Sequence, residues 1–188
     1  MTQIMEIRIH GRGGQGSVTA AELLAVSAFY DQKYSQAFPN FGVERRGAPV
    51  MAFARISNSP INLREQIYNP EYIIVQDSTL VNPETGVLQG VEKAHGILIN
   101  TEKKQWPEIK NKNIFAVPAT QIAIKEIGKP FINTAVLGAF AAMSEAISLN
   151  SLKRAITEKF HESPAETVKA NVMAMEKAYH YIKENYQL

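Results

Sequence analysis

Apolar and polar residues alternate near the start of the chain, and a helical pattern follows. Within residues 5–11, Ile7 and Ile9 alternate with Arg8 and His10, which is the period of a half-buried strand. A helix is predicted from about residue 17 to residue 30. The chain is therefore predicted to open with a strand, a glycine-rich turn and a helix.

Further strand-like segments follow this opening unit. They cover residues 34–38, 48–56, 71–77, 96–100 and 113–118. The segment PNFGVERRG, which separates the first two of these, has no helical pattern. Neighbouring parallel strands need a crossover of about a dozen residues or more, so these two strands are predicted to be antiparallel or not adjacent. The sheet is therefore predicted to be mixed.

The rest of the chain has helical patterns. They cover residues 119–128, 133–147 and 150–160, and a last helix begins with Ser163-Pro164-Ala165-Glu166, which matches a capping box with proline at the first helical position. These elements predict an α/β fold, a three-layer α/β/α arrangement with a mixed central sheet and a Rossmann-like first strand, turn and helix. Residues 1–188 are interpreted as one domain whose part from about 119 to 188 is mainly helical.

Composition narrows the class of protein. The chain has 188 residues, of which 45% are hydrophobic and 20% are charged, in line with one globular domain. It has no basic leader and no apolar stretch of spanning length, so a cytoplasmic protein without membrane contact is expected. A formal charge of +2 is too small to indicate nucleic acid. The absence of cysteine excludes disulfides and cysteine-ligated iron–sulfur clusters on this chain, and the four histidines lack metal-ligand spacing.

The turn after the first strand, with the sequence HGRGGQG, carries the first chemical signal. Residues 11–16 of this segment, the glycine turn, contain the G-x-G-x-x-G pattern of dinucleotide-binding proteins between a strand and a helix. The acidic residue expected about 20 positions later is missing, because the second strand ends in Gln36, Ala37, Phe38 and Pro39. The turn therefore binds a different phosphate, or its glycines serve only the packing of strand and helix.

A charged loop in FGVERRGAPV carries the second signal. Glu44, Arg45 and Arg46 lie between two glycines and are followed by a proline. Guanidinium groups are suited to a bidentate grip on phosphate or carboxylate, and the glutamate is placed to orient one of them. The alternative is a solvated charge cluster. Because both signals follow strands of one sheet, the loop and the glycine turn are predicted to reach one concave site.

Taken together, HGRGGQG, QAFPNFGVERRGAPV, VQDSTLV and NTAVLGAFA resemble the gamma subunits of 2-oxoacid:ferredoxin or flavodoxin oxidoreductases, and the pyruvate enzymes match best. The resemblance runs in order from about Glu6 to Gly138, with a looser echo in NVMAMEKAY. It implies a subunit of an enzyme that decarboxylates pyruvate, forms acetyl-coenzyme A and reduces ferredoxin or flavodoxin. It also implies alpha, beta and delta partner subunits, which hold thiamine diphosphate, Mg²⁺ and the iron–sulfur clusters.

The resemblance implies coenzyme A contacts for the glycine turn and the charged loop, or contacts of that turn with a partner's cofactor loop. The residues concerned are Gly11, Arg12, Gly13, Gly14, Gln15, Gly16, Glu44, Arg45 and Arg46, and no catalytic residue or metal ligand is expected on this chain. Asp77 is interpreted as a cap or turn residue, and Asn133 and Thr134 as caps of the helix that they begin.

Three alternatives stay open from the sequence alone. Related gamma chains serve enzymes for 2-oxoglutarate, 2-oxoisovalerate and indolepyruvate. The glycine pattern by itself also fits a free-standing nucleotide-binding module. Finally, the lysines of TEKKQWPEIKNKN form either a solvated surface, which is the usual case, or a docking surface for an acidic electron carrier.

Overall fold

A mixed β-sheet organises the computed structural model, which describes residues 4–40, 47–109 and 113–187. In these residues the sheet has the order β2-β3-β1-β4-β5-β6. β1, β4, β5 and β6 are parallel, whereas β3 is antiparallel to both β1 and β2. The predicted mixed sheet is confirmed, and of the two alternatives for the second and third strands the structure shows antiparallel neighbours. The strands are β1 (Ile4–Arg12), β2 (Tyr34–Pro39), β3 (Pro49–Ser57), β4 (Tyr72–Val75), β5 (Gly96–Asn100) and β6 (Ile114–Val117).

Helices of the described residues follow the predicted order. They are α1 (Ser17–Tyr30), α2 (Ala119–Ile127), α3 (Asn133–Ser144), α4 (Leu149–Lys159) and α5 (Ala165–Asn185). α3 ends before the predicted residue 147, because Glu145 adopts a left-handed conformation with φ of 52°. The capping-box prediction for Ser163 is wrong: Pro164 occupies the cap position of α5, and no side chain caps the helix. Among the described residues, no helix combines the length and the apolar character that crossing a membrane requires.

The two faces of the sheet are covered differently. All five α-helices contribute to one large core, which includes Ile7 and Ile9 of β1. The opposite face packs against 3₁₀-helices at Ser78–Leu80, Pro83–Thr85 and Val91–Lys93 and against Trp106 and Ile109. The α/β class is confirmed. In the described residues, the second covering layer consists of 3₁₀-helices and loops, because a proline and left-handed glycines interrupt the connection between β4 and β5.

Two arginines are buried on that second face. Arg8 on β1 is 2% exposed and Arg55 on β3 is 0% exposed. The Arg55 Nε donates to Glu6 Oε1 at 2.8 Å, so this cation has a carboxylate partner. The Arg8 guanidinium instead donates its Nε to His10 Nε2 at 2.8 Å and its terminal nitrogens to backbone carbonyls of the covering loops. Burial, together with the Arg8 charge, lowers the pKa of His10 to about 3, so this imidazole is neutral at pH 7.

Helices α3 and α5 approach each other closely. A Cβ at Gly138 of α3 would overlap the carbonyl oxygen of Met175 in α5. Gly138 therefore allows the backbones of α3 and α5 to pack closely. Thr134 does not cap α3 with its side chain: its hydroxyl donates to Asn171 Oδ1 on α5 at 3.1 Å, and its own backbone N–H donates to Asn133 Oδ1 at 3.0 Å.

Asp31 joins the end of α1 to the start of α4. Its carboxylate accepts hydrogen bonds from the backbone N–H and hydroxyl of Ser148 at 2.6 and 2.7 Å and from the hydroxyl of Ser151 at 2.6 Å. Partial burial raises the pKa of Asp31, but the hydrogen bonds from Ser151 and Ser148 outweigh burial and hold the pKa below its usual value. α1 has 14 residues, so Asp31 lies about 20 Å from the glycine turn.

Candidate functional site

A cleft lies at the edge of the sheet where the parallel strands end. We call it the carboxyl-edge cleft; its volume is about 700 Å³, within the range of about 300–1,000 Å³ typical of small-molecule sites. Open α/β sheets bind ligands at this edge. The glycine turn forms one wall, and the opposite wall comes from the α2–α3 connection and the helical layer. The lining includes Gly13, Gly14, Gln15, Gly16, Asn100, Thr120, Lys129, Phe131, Asn133, Ser163, Thr167 and Asn171.

The glycine turn has a backbone conformation that suits anion binding. Gly14 and Gly16 have φ angles of 97° and 76°, which side chains rarely tolerate. Gly16 occupies the cap position of α1, and no side chain caps that helix. The first N–H groups of an α-helix have no partner within the helix, and the helix dipole places partial positive charge at the same end. These features of the turn and of the first residues of α1 are the ones that proteins use to bind phosphate or carboxylate groups.

A side chain at Gly11 would overlap side chains that pack below the glycine turn. A Cβ there would overlap the hydroxyl of Ser17 and Oε1 of Gln76. These two groups are bonded to each other, with the Ser17 hydroxyl donating to Gln76 Oε1 at 2.6 Å. The buried Gln76 Nε2 has no hydrogen-bond partner in the described residues. The space beside Gly11 is therefore filled by the Ser17–Gln76 pair, which would have to shift to admit a side chain.

Arg12 and Gln15 are used within the chain. The Arg12 guanidinium forms an ion pair with Asp77, with Nε 2.9 Å from Oδ2. Gln15 Oε1 accepts from the backbone N–H of Arg12 at 2.7 Å. Asp77 is a cap, as interpreted from the sequence, because its Oδ1 accepts from the N–H of Thr79 at 3.0 Å. In the described residues, these side chains brace the glycine turn.

The predicted contact groups Glu44, Arg45 and Arg46 lie outside the described residues. The residues that follow them are described and lie against the glycine turn. The Gly47 N–H donates to the carbonyl of Gly13 at 3.1 Å, and the Gly13 N–H donates to the carbonyl of Ala48 at 2.9 Å. Gly47 and Ala48 therefore lie beside the glycine turn.

The α2–α3 connection contributes two residues that the sequence did not single out. Lys129 and Phe131 line the carboxyl-edge cleft, and the Lys129 ammonium lies 5.8 Å from the centre of the Phe131 ring. Phe131 is 55% exposed, so its ring is accessible from the cleft. The feature of the sequence that could have identified these two residues is their position just before the start of α3, because helix N-termini at this edge of the sheet face the cleft.

Strand order gives a structural reason against dinucleotide binding. In a dinucleotide-binding fold the second strand lies next to the first and presents an acid to the ribose. Here β3 lies between β1 and β2, and β2 has no acidic residue at its end. The glycine pattern therefore lies in an α/β fold that lacks the strand order and the acidic residue of a dinucleotide site.

Comparison with known proteins identifies the family. Residues 6–181 match the model of the pyruvate ferredoxin/flavodoxin oxidoreductase family. This match spans most of the chain, and the protein belongs to that family.

Similar proteins cover nearly the whole chain. A relative from Methanocaldococcus jannaschii, named pyruvate synthase subunit PorC, is 48% identical over 97% of this chain and 99% of its own length. A Pyrococcus furiosus relative, named common subunit gamma of pyruvate/ketoisovalerate oxidoreductases, is 43% identical over 94% of this chain and 96% of its own. The crystal structure of the pyruvate oxidoreductase subunit from Thermotoga maritima is 36% identical, with a TM-score of 0.81 over 95% of this chain and 96% of its own.

Proposed function

We propose that this chain is the gamma subunit of a pyruvate:ferredoxin or flavodoxin oxidoreductase, also called pyruvate synthase. The relatives named as pyruvate synthase subunits align with nearly its full length, which supports a subunit of this kind. The assembled cytoplasmic enzyme converts pyruvate and coenzyme A into acetyl-coenzyme A and CO₂, and passes two electrons to ferredoxin or flavodoxin. The isolated chain has no turnover.

In this proposal, the other subunits hold the cofactors of the enzyme. Alpha and beta subunits hold thiamine diphosphate and Mg²⁺, and a ferredoxin-like delta subunit holds iron–sulfur clusters. Thiamine diphosphate supplies the carbanion that makes decarboxylation of a 2-oxoacid possible. This chain has no cysteine, so it offers no thiolate for a cluster. Its part is to bind and orient an anionic substrate.

Coenzyme A is the ligand that we propose for the carboxyl-edge cleft. Its diphosphate and ribose phosphate match the uncapped start of α1 and the N–H groups of Gly14 and Gly16. The other backbone N–H groups of residues 12–15 already have acceptors within the described residues. Arg45 and Arg46 supply charge-assisted hydrogen bonds to the same phosphates, and Glu44 orients one guanidinium. The observation that carries this proposal is the pair of hydrogen bonds joining Gly13 to Gly47 and Ala48. Anchoring by the phosphates leaves the pantetheine arm free to reach the reaction centre on the partner subunits.

Replacing both arginines by alanine tests this proposal in the assembled enzyme. R45A/R46A is expected to raise the KM for coenzyme A by about 30-fold, because losing two charge-assisted hydrogen bonds weakens binding by roughly 2 kcal/mol. The KM for pyruvate is expected to stay within about twofold of the wild-type value, because the substitutions remove contacts to coenzyme A and none to pyruvate. Steady-state kinetics with each substrate varied in turn measures both quantities.

The adjacent pair Lys103 and Lys104 provides a matched control. K103A/K104A also removes two neighbouring cations, but Lys103 lies against Trp106, 4.3 Å from the ring centre, and neither lysine lines the carboxyl-edge cleft. This variant is expected to keep the KM for coenzyme A. A rise in the KM for ferredoxin in this variant would indicate that these lysines dock the electron carrier. An unchanged KM for coenzyme A in R45A/R46A contradicts the proposed anion site.

A gamma subunit shared between two 2-oxoacid enzymes is the second candidate. The Pyrococcus furiosus relative, at 43% identity, carries a name that assigns it to both a pyruvate and a ketoisovalerate oxidoreductase. Because the pocket for the 2-oxoacid lies on other subunits, the same gamma chain serves either substrate. Affinity purification of this chain from its native cells distinguishes the two: one set of larger subunits supports a dedicated enzyme, and two sets support a shared subunit.

A further inference from the structure

We propose that Arg12 and Asp77 are positioning residues, which hold the glycine turn and the end of the charged loop in the arrangement that binds the anionic substrate. This inference rests on the function proposed above. It assigns Arg12 a role through its neighbours, whereas the sequence suggested that Arg12 contacts the ligand directly.

Arg12 donates to three separate parts of the chain. Its Nε donates to Asp77 Oδ2 at 2.9 Å, its Nη1 to the carbonyl of Gly47 at 3.1 Å, and its Nη2 to the hydroxyl of Thr79 at 2.8 Å. Every nitrogen of this guanidinium thus has an acceptor within the described residues. A planar guanidinium with donors in a fixed fork suits this bridging role, and a lysine ammonium does not.

Asp77 collects hydrogen bonds from the opposite side of the same junction. Its Oδ2 accepts from Arg12 and, at 3.5 Å, from Gln15 Nε2, while its Oδ1 accepts from the N–H and hydroxyl of Thr79. The Asp77 side chain is 19% exposed and that of Arg12 is 35% exposed. Partial burial raises the pKa of Asp77, but the hydrogen bonds from Thr79 and Arg12 outweigh it and keep the pKa below its usual value. The carboxylate is therefore charged at pH 7.

Further hydrogen bonds connect the Arg12–Asp77 ion pair to the residues proposed to bind the ligand. Gln15 Oε1 accepts from the backbone N–H of Arg12, and Gly13 exchanges hydrogen bonds with Gly47 and Ala48. An isolated ion pair at a surface is worth little. The Arg12–Asp77 ion pair is not isolated, because the same carboxylate and guanidinium also make the hydrogen bonds that fix the backbone at three places. These places are the end of β1, the end of β4 and the start of β3.

The test uses D77N and R12K in the assembled enzyme. D77N keeps an oxygen that accepts from Thr79 but removes the charge facing Arg12. R12K keeps the positive charge but cannot reach three acceptors. Each variant is expected to raise the KM for coenzyme A about tenfold, with kcat within about twofold of wild type, because displaced amides lose their alignment with the phosphates. The double variant is expected to equal either single variant, because both remove one shared interaction.

D31N is the matched control. Asp31 is also a partly buried carboxylate that accepts hydrogen bonds between two elements, but it lies at the far end of α1. D31N is expected to lower the thermal midpoint as much as D77N does while leaving the KM for coenzyme A unchanged. If D77N and D31N lower the midpoint equally and neither changes that KM, Asp77 has only a structural role and the inference is overturned. Additive effects of R12K and D77N also overturn it.

The R45A/R46A variant separates failure of this inference from failure of the proposed function. If R45A/R46A raises the KM for coenzyme A and D77N does not, the anion site stands and the positioning role is wrong. If neither variant changes it, the proposed anion site is wrong, and the positioning role falls with it.

Discussion

Replacing Arg8 by alanine is expected to lower the free energy of unfolding by about 4 kcal/mol, a loss typical of a broken buried charge network. Arg8 is 2% exposed, and its guanidinium serves His10 and the carbonyls of Tyr68, Val87 and Gln89. Without it, the buried acceptors His10 Nε2 and the Val87 carbonyl lose this donor, and each such group costs about 1–3 kcal/mol. Burial lowers the pKa of Arg8 to about 10, so the charge is present at pH 7.

Urea unfolding of the purified chain measures this loss. R64A is the control, because Arg64 is exposed, and its effect is expected to stay within about 0.5 kcal/mol. R8M replaces most of the lost volume without donors and is expected to recover less than half of the loss. Full recovery in R8M would show that packing, and not hydrogen bonding to the covering loops, is what Arg8 contributes.

Substituting alanine for Gly138 is expected to destabilise the chain by about 2–3 kcal/mol. Alanine is normally the better helix former by about 1 kcal/mol, so an exposed position would respond with the opposite sign. Here the added methyl group would overlap the carbonyl oxygen of Met175, which is backbone and cannot rotate away. α3 and α5 must therefore move apart and lose packing along their contact.

Gly96 supplies the comparison for this substitution. A Cβ at Gly96 would lie 3.3 Å from the sulfur of Met143 and from ring atoms of Tyr72, which are side chains able to adjust. G96A is therefore expected to destabilise by less than about 1 kcal/mol in the same urea experiment. Equal losses in G138A and G96A would contradict the assignment of Gly138 to an obligatory backbone contact.

Local patterns made much of the fold predictable. Strands, the glycine turn and the Asp77 cap depend on residues close in sequence, so their signals survive in a single chain. The position of Gly47 beside Gly13 depends on the antiparallel pairing of β3 with β1, which brings the start of one strand to the end of the other and which the sequence did not predict. The prediction for Ser163 failed because proline took the cap position one residue later than the pattern suggested.

Contacts between distant residues account for what the sequence did not reveal. Arg12 and Asp77 are 65 positions apart, and no periodicity connects them. Arg8 occupies a polar position of an alternating strand, which normally indicates a solvent-facing side chain, yet loops cover it. Lys129 and Phe131 stand out only because they line the carboxyl-edge cleft. That cleft forms only in the folded chain, where the first turns of α2, α3 and α5 lie around the glycine turn.

An experimental density map of the assembled enzyme with coenzyme A bound is the most direct test of whether the glycine turn and the charged loop bind the phosphates of coenzyme A. We expect diphosphate oxygens within about 3 Å of the backbone nitrogens of Gly14, Gly16 or the first turn of α1, and of the Arg45 or Arg46 guanidinium. A map in which coenzyme A is fully occupied, with its phosphates on other subunits and away from both segments, would contradict it.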